Sequence, residues 1–100
     1  MPKFVTFARY TPEGARTIAS SRERYEKFRL SVQQVGGRIE AAYGLLGSHD
    51  LLLITELPDE RSAAQLLVTV ASRGTVTTET QVAIPLDEFY DLIEKTLAGR

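Results

Sequence analysis

Residues 43–60 read YGLLGSHDLLLITELPDE. A continuous apolar run, Leu51 to Leu57, follows a short polar break and stops at Pro58-Asp59. Such a run, bounded by turn residues, predicts a strand covered on both faces. Upstream, Arg38 to Leu45 alternates, with Ile39, Ala41, Tyr43 and Leu45 on one side and Arg38 and Glu40 on the other. That is the pattern of a strand with one wet face. Gly47-Ser48-His49-Asp50 then joins two neighbouring strands as a hairpin turn. Asp59 is a suitable N-cap for a following helix, Glu60 to about Ser72, with Ala63, Leu66, Leu67, Val70 and Ala71 as its buried stripe. Gly74 ends it.

Working outward, Lys3 to Tyr10 is rich in β-branched and aromatic residues and ends at Thr11-Pro12, which predicts a first strand, apolar on both faces. A helical turn is expected at Glu13 to Ile18. Ser20-Ser-Arg-Glu23 has the spacing of a capping box. Tyr25, Phe28, Val32 and Val35 then line one helical stripe, and Gly36-Gly37 stops the helix. Thr75 to Ile84 alternates and is rich in threonine, as suits an edge strand. A last helix from Pro85 to about Leu97 carries Phe89, Ile93 and Leu97 every fourth residue, with Asp87 and Glu88 in the turn where the helix dipole favours them.

The order β-α-β-β-α-β plus a C-terminal helix is the ferredoxin-like α+β plan with a four-stranded antiparallel sheet. Two helices cover one face of that sheet. The first and third strands are nevertheless apolar on both faces, and a bare apolar face of several hundred Å² is unusual on a soluble monomer. The expectation is a homo-oligomer, a dimer joined through the sheet face. A C-terminal helix folded over that face is the competing solution.

The chain has 100 residues, read as one domain over 1–100. Hydrophobic residues make up 43% and charged residues 25% of the chain. That is the balance of a folded protein. A net charge of −1 argues against a nucleic-acid partner, which needs a basic surface to displace counterions. Cysteine is absent, which excludes disulfides and thiolate metal sites. One histidine cannot build a His-rich metal centre within one chain. No metal or cofactor is expected. MPKFVTFARY lacks the charged leader and apolar core of a signal peptide, and no stretch approaches the ~20 apolar residues of a membrane span. The expectation is a cytoplasmic protein with no membrane partner.

MPKFVTFARYTPEG, SRERYEKF, VGGRIEAAYGLLGSHDLLLITELPDE and TVTTETQVAIPLDEF together resemble the GYD-domain family almost end to end. That family is named for a Gly-x-Tyr-Asp turn between its second and third strands. Gly47 and Asp50 match it, and His49 stands where the family has tyrosine. Gly36-Gly37 and Thr78-Glu79-Thr80 also look like family positions. The resemblance implies a dimeric α/β-barrel type of ferredoxin-like domain. It implies no activity, since the family is a domain of unknown function, and no catalytic residue is carried over. The wider dimeric α/β-barrel group holds cofactor-free monooxygenases, isomerases, haem enzymes and ligand sensors, an analogy of fold alone.

Candidate residues remain. His49 with Asp50 is either a general base oriented by a carboxylate or the plain tip of a hairpin. Adjacent strand residues point to opposite sides, so the pair meets only if the turn bends them together. Tyr10 and Tyr43 are candidate ligand-binding residues lining a pocket between sheet and helices, or packing residues whose hydroxyls find one partner. Arg16, Arg22, Arg24, Lys27 and Arg29 suggest an anion site, or a solvated face paired with the interleaved Glu13, Glu23 and Glu26. Glu79 within the threonine run is a candidate ligand for a hydrated ion, or simply an edge-strand residue. Two functions follow, beside the plainer reading of a structural subunit whose only role is assembly, which predicts no pocket of small-molecule size. One is an oligomeric domain binding a small ligand or protein partner. The other is a small cofactor-free enzyme, monooxygenase- or isomerase-like, with His49 in proton transfer.

Overall fold

The computed structural model describes residues 1–99. Strand β1 (Lys3–Tyr10) leads through a short helix α1 (Pro12–Arg16) and a 3₁₀ turn (Ile18–Ser20) into α2 (Ser21–Gln34). The hairpin β2 (Arg38–Gly44) and β3 (Leu51–Glu56) follows, then α3 (Glu60–Ser72), β4 (Val76–Ala83) and α4 (Leu86–Ala98). The sheet order is β2-β3-β1-β4 with every pair antiparallel, as the ferredoxin-like plan requires. β4 lies at the edge.

The period-2 pattern decides which side chains meet the helices. On β1, Phe4, Thr6 and Ala8 are buried against α2 and α3, and on β3 so are Leu53 and Thr55, with Leu57 just beyond the strand. Phe28 and Val32 of α2 and Ala63, Leu66 and Val70 of α3 complete this core. Ala71, at the margin of the α3 stripe, is exposed.

Two local expectations are corrected. Ser20 makes no side-chain cap bond. It stands at φ −91°, ψ 4° at the end of the 3₁₀ turn, not in the extended conformation a capping residue adopts. Within β2, the register slips between Ile39 and Ala41, so Glu40 is an extra, bulged residue. Ile39 therefore packs towards the core, whereas Ala41 and Tyr43 stand opposite Ile54 and Leu52 on the far face. The competing solution for that face is not adopted: α4 does not fold back over it, and none of its residues is buried. The projecting helix stretches the molecule to 55 Å along its longest axis. It raises the radius of gyration to 15.7 Å, against about 13 Å for a compact chain of this length.

The Asp59 cap is as read: its carboxylate accepts from the Ser62 N–H at 2.8 Å, and this bond holds its pKa below the usual 3.8. A group whose pKa is depressed on folding stabilises the fold above its unfolded value and ceases to do so as pH falls through its folded value. Asp59→Ala should therefore lower the melting temperature at neutral pH, and the gap to the parent should close once pH drops well below 3.8. A pH-independent gap in thermal melts would contradict the cap.

Candidate functional site

The sheet face away from α2 and α3 has an apolar centre. Val5 and Phe7 of β1 stand opposite Ile54 and Leu52 of β3. Ala41 and Tyr43 of β2 continue the two rows. At one end lie two ion pairs, Lys3 with Glu40 at 2.8 Å and Arg38 with Glu56 at 2.5 Å. The Glu40 carboxylate accepts from the Lys3 ammonium and raises its pKa above the ordinary 10.5.

At the other end sits His49. Its ring centre lies 5.1 Å from that of Phe7, tilted by 45°. Its Nε2 is 3.4 Å from Oε2 of Glu79. The register explains the contact: Glu79 is directly opposite Phe7, so its carboxylate rises on the same face. The β2–β3 turn folds over the end of β1 to deliver His49 there, pinned by a 2.7 Å bond from the Arg9 Nε–H to the Ser48 carbonyl.

Asp50 goes elsewhere. Its carboxylate accepts from the Tyr10 N–H at 2.9 Å, and its own N–H donates to the Ala8 carbonyl at 2.9 Å. The side chain thus extends the ladder where the β3 backbone turns away. The structure brings His49 to Glu79 and sends Asp50 to the end of β1, so the two expected partners diverge.

The other face holds a cavity of about 490 Å³ where α2 and α3 part above the sheet. Its floor is made of small residues, Ala8, Ala42, Gly44 and Thr78. Tyr10 lines it, with its hydroxyl 2.5 Å from Ser21 Oγ. Tyr43 reaches the rim but is 58% exposed, and its register opposite Leu52 puts it on the open-face side of β2. Of the basic stretch around α2, Arg16 and Arg29 pair with Glu13 and Glu26 as expected of a solvated face. Arg24 instead donates to the Thr17 carbonyl and hydroxyl at 3.0 Å and to the Gly14 carbonyl at 3.3 Å. The sequence reading missed Arg73 and Ser21, which also line the cavity. It missed the small floor residues too, whose signal is the run Ala41-Ala42-Tyr43-Gly44 on a strand otherwise expected to pack.

Among the described residues, no group of three or more His, Asp or Glu is placed to hold a metal ion, and no helix is long and apolar enough to cross a membrane.

Residues 4–93 match the family described as the GYD domain. A protein of Thermus thermophilus, named as a glutamine synthetase and cystathionine beta-lyase binding protein, is 33% identical over 87 residues, spanning 86% of this chain and 92% of its own. Among solved structures, FFRP-DM1 superposes with a TM-score of 0.60 at 20% identity, over 84% of this chain and all of its own. The hypothetical protein PHS023 of Pyrococcus horikoshii gives 0.58 at 18% identity, over 85% of this chain and 92% of its own. At such identities the likeness is one of fold.

Proposed function

Because this chain belongs to the GYD-domain family, we propose that it is a binding module that works as a homo-oligomer, at least a dimer joined sheet to sheet, and that the assembly engages a metabolic enzyme as its partner. The observation that carries this reading is the pair of uncovered apolar surfaces. One is the sheet face of Val5, Phe7, Leu52 and Ile54. The other is α4, whose Phe89, Ile93 and Leu97 are 46%, 41% and 53% exposed. That helix has 13 residues, a length that is marginal in water without tertiary packing. A permanent cover suits it better than a transient one, and a second copy is always at hand. Residues of the open face recur at every two-fold interface, so each apolar contact counts twice. His49 belongs to this interface as a lid on Phe7.

The enzyme partner rests on the Thermus thermophilus relative, whose name gives glutamine synthetase and cystathionine beta-lyase as what it binds. The runner-up, a cofactor-free enzyme with His49 in proton transfer, draws on the Nε2 contact with Glu79. One set of measurements separates them: sedimentation of the purified chain alone, then with glutamine synthetase or cystathionine beta-lyase of its source organism, for the parent and for His49→Phe. The expected result is an oligomer that co-sediments with one of the enzymes, with phenylalanine tolerated as an aromatic cover for Phe7. A monomer that binds neither enzyme sinks the module reading. Loss of binding in His49→Phe, with assembly intact, moves the weight to the imidazole.

A further inference from the structure

We propose that the cavity between α2, α3 and the sheet binds a small organic anion with an apolar or aromatic body. The site lies on the opposite face of the sheet from the proposed interface and does not depend on it.

Volume is the first argument. Protein interiors pack as densely as organic crystals, with few voids larger than a water molecule. Here a cleft of about 490 Å³, partly open to solvent, reaches down to the core, within the range of small-molecule sites. It is open because of residue choice. Ala42 and Gly44, both exposed, stand where larger strand residues would fill the space, while Ala8, Phe28, Leu53 and Val70 of the core form its inner wall.

Charge is the second argument. Three arginines line the cavity, Arg22 and Arg24 from α2 and Arg73 from the end of α3, in a chain whose net charge is −1. The only acidic residue of the lining is Glu26, and its carboxylate accepts from Arg29 Nε–H at 3.0 Å. Among the described residues, no carboxylate pairs with Arg22, Arg24 or Arg73. Arg24 is held by neutral carbonyls and a hydroxyl, which fix the guanidinium without cancelling its charge. The cavity therefore joins an apolar interior to an uncompensated positive rim. Arginine is the side chain best suited to a carboxylate, which it can grip through two parallel N–H bonds. The Tyr10–Ser21 hydroxyl pair adds a polar group inside that rim.

The probe is 2-naphthoate, with 2-naphthamide as its neutral counterpart, titrated into the ¹⁵N-labelled full chain and followed by amide shifts. The expected result is saturable movement at Ala8, Ala42 and Thr78, with the acid binding about tenfold more tightly than the amide, the ratio of one charge-assisted hydrogen bond. Arg22→Glu combined with Arg73→Glu should abolish that preference while the amide still binds. Ala42→Leu, on an edge strand that accepts the larger residue, should weaken both probes. The proposal is overturned if the shifts fall on Val5, Phe7 and Ile54 or on α4. It is overturned equally if acid and amide bind alike, or if neither binds at roughly millimolar concentration. The oligomeric state, read on the same samples, tests the module reading separately.

Discussion

Ile54→Glu should convert the proposed sheet-to-sheet dimer to folded monomers. Ile54 lies at the centre of the open face, opposite Val5 on one side and Ala41 on the other. In an isolated subunit the residue is only half-buried, so a glutamate there is solvated and the fold persists. In a sheet-to-sheet dimer the same position is closed off from water, and the symmetry buries two new carboxylates close together. Removing an unpaired charge from water costs several kcal/mol per ion even after relaxation. A loss of about 4 kcal/mol is about a thousandfold in the dissociation constant, and two ions exceed that. Sedimentation velocity over a concentration series reads the shift, with circular dichroism confirming the fold. Val68→Glu, on α3 with 69% exposure and on the other side of the molecule, serves as the control and should sediment as the parent does. An Ile54→Glu protein that keeps the parent's mass would show that the open face is not the interface.

The architecture is legible because it rests on periodicities. The β-rich segment 3–10, the apolar run 51–57 and the stripe Tyr25-Phe28-Val32-Val35 belong to local sequence, and the strand and helix order admits few topologies. The candidate site is less legible, for reasons that lie in register. One bulged residue, Glu40, reverses the facing of β2 between Ile39 and Ala41, and no local pattern marks it. Glu79 meets His49 only because β4 pairs with β1 so that Glu79 opposes Phe7, a contact far from the turn in sequence. Asp50 is the neighbour of His49 along the chain, but its bonds run to the backbone of Ala8 and Tyr10, on a different strand. The cavity is harder still, since small residues at 8, 42 and 44 register as empty space only when two helices are known to diverge above them.

Gly37→Ala should be among the most damaging single-methyl changes in this chain. Gly36-Gly37 reads in sequence as a helix stop, yet the two glycines are needed for different reasons. Gly36 takes φ +85°, and its N–H and that of Gly37 donate to the carbonyls of Gln33 and Val32 at 2.9 Å. This is a Schellman motif closing α2. Gly37 has no positive φ to explain it. Its constraint is space: a Cβ there would stand 2.5 Å from the Glu56 carbonyl oxygen and 2.6 Å from Leu57 Cδ2. Leu57 is 2% exposed and anchors the core, and the Glu56 oxygen is main chain at the end of β3, so neither yields cheaply. Overpacking of this kind costs about 1–3 kcal/mol or more, and for a domain of this size each kcal/mol lowers Tm by about 4–8 °C. Gly44→Ala is the matched comparison. Its Cβ would meet nothing within 4 Å and its φ is not positive. It should be neutral or slightly stabilising by restricting the unfolded chain. Truncating Leu57 in the Gly37→Ala background should give no rescue, because the clash with the Glu56 carbonyl remains. Melting curves at one fixed protein concentration, which the proposed self-association requires, decide it: equal Tm values for Gly37→Ala and Gly44→Ala would mean that the close approach between the end of α2 and the end of β3 is not what ties the hairpin to the helix layer.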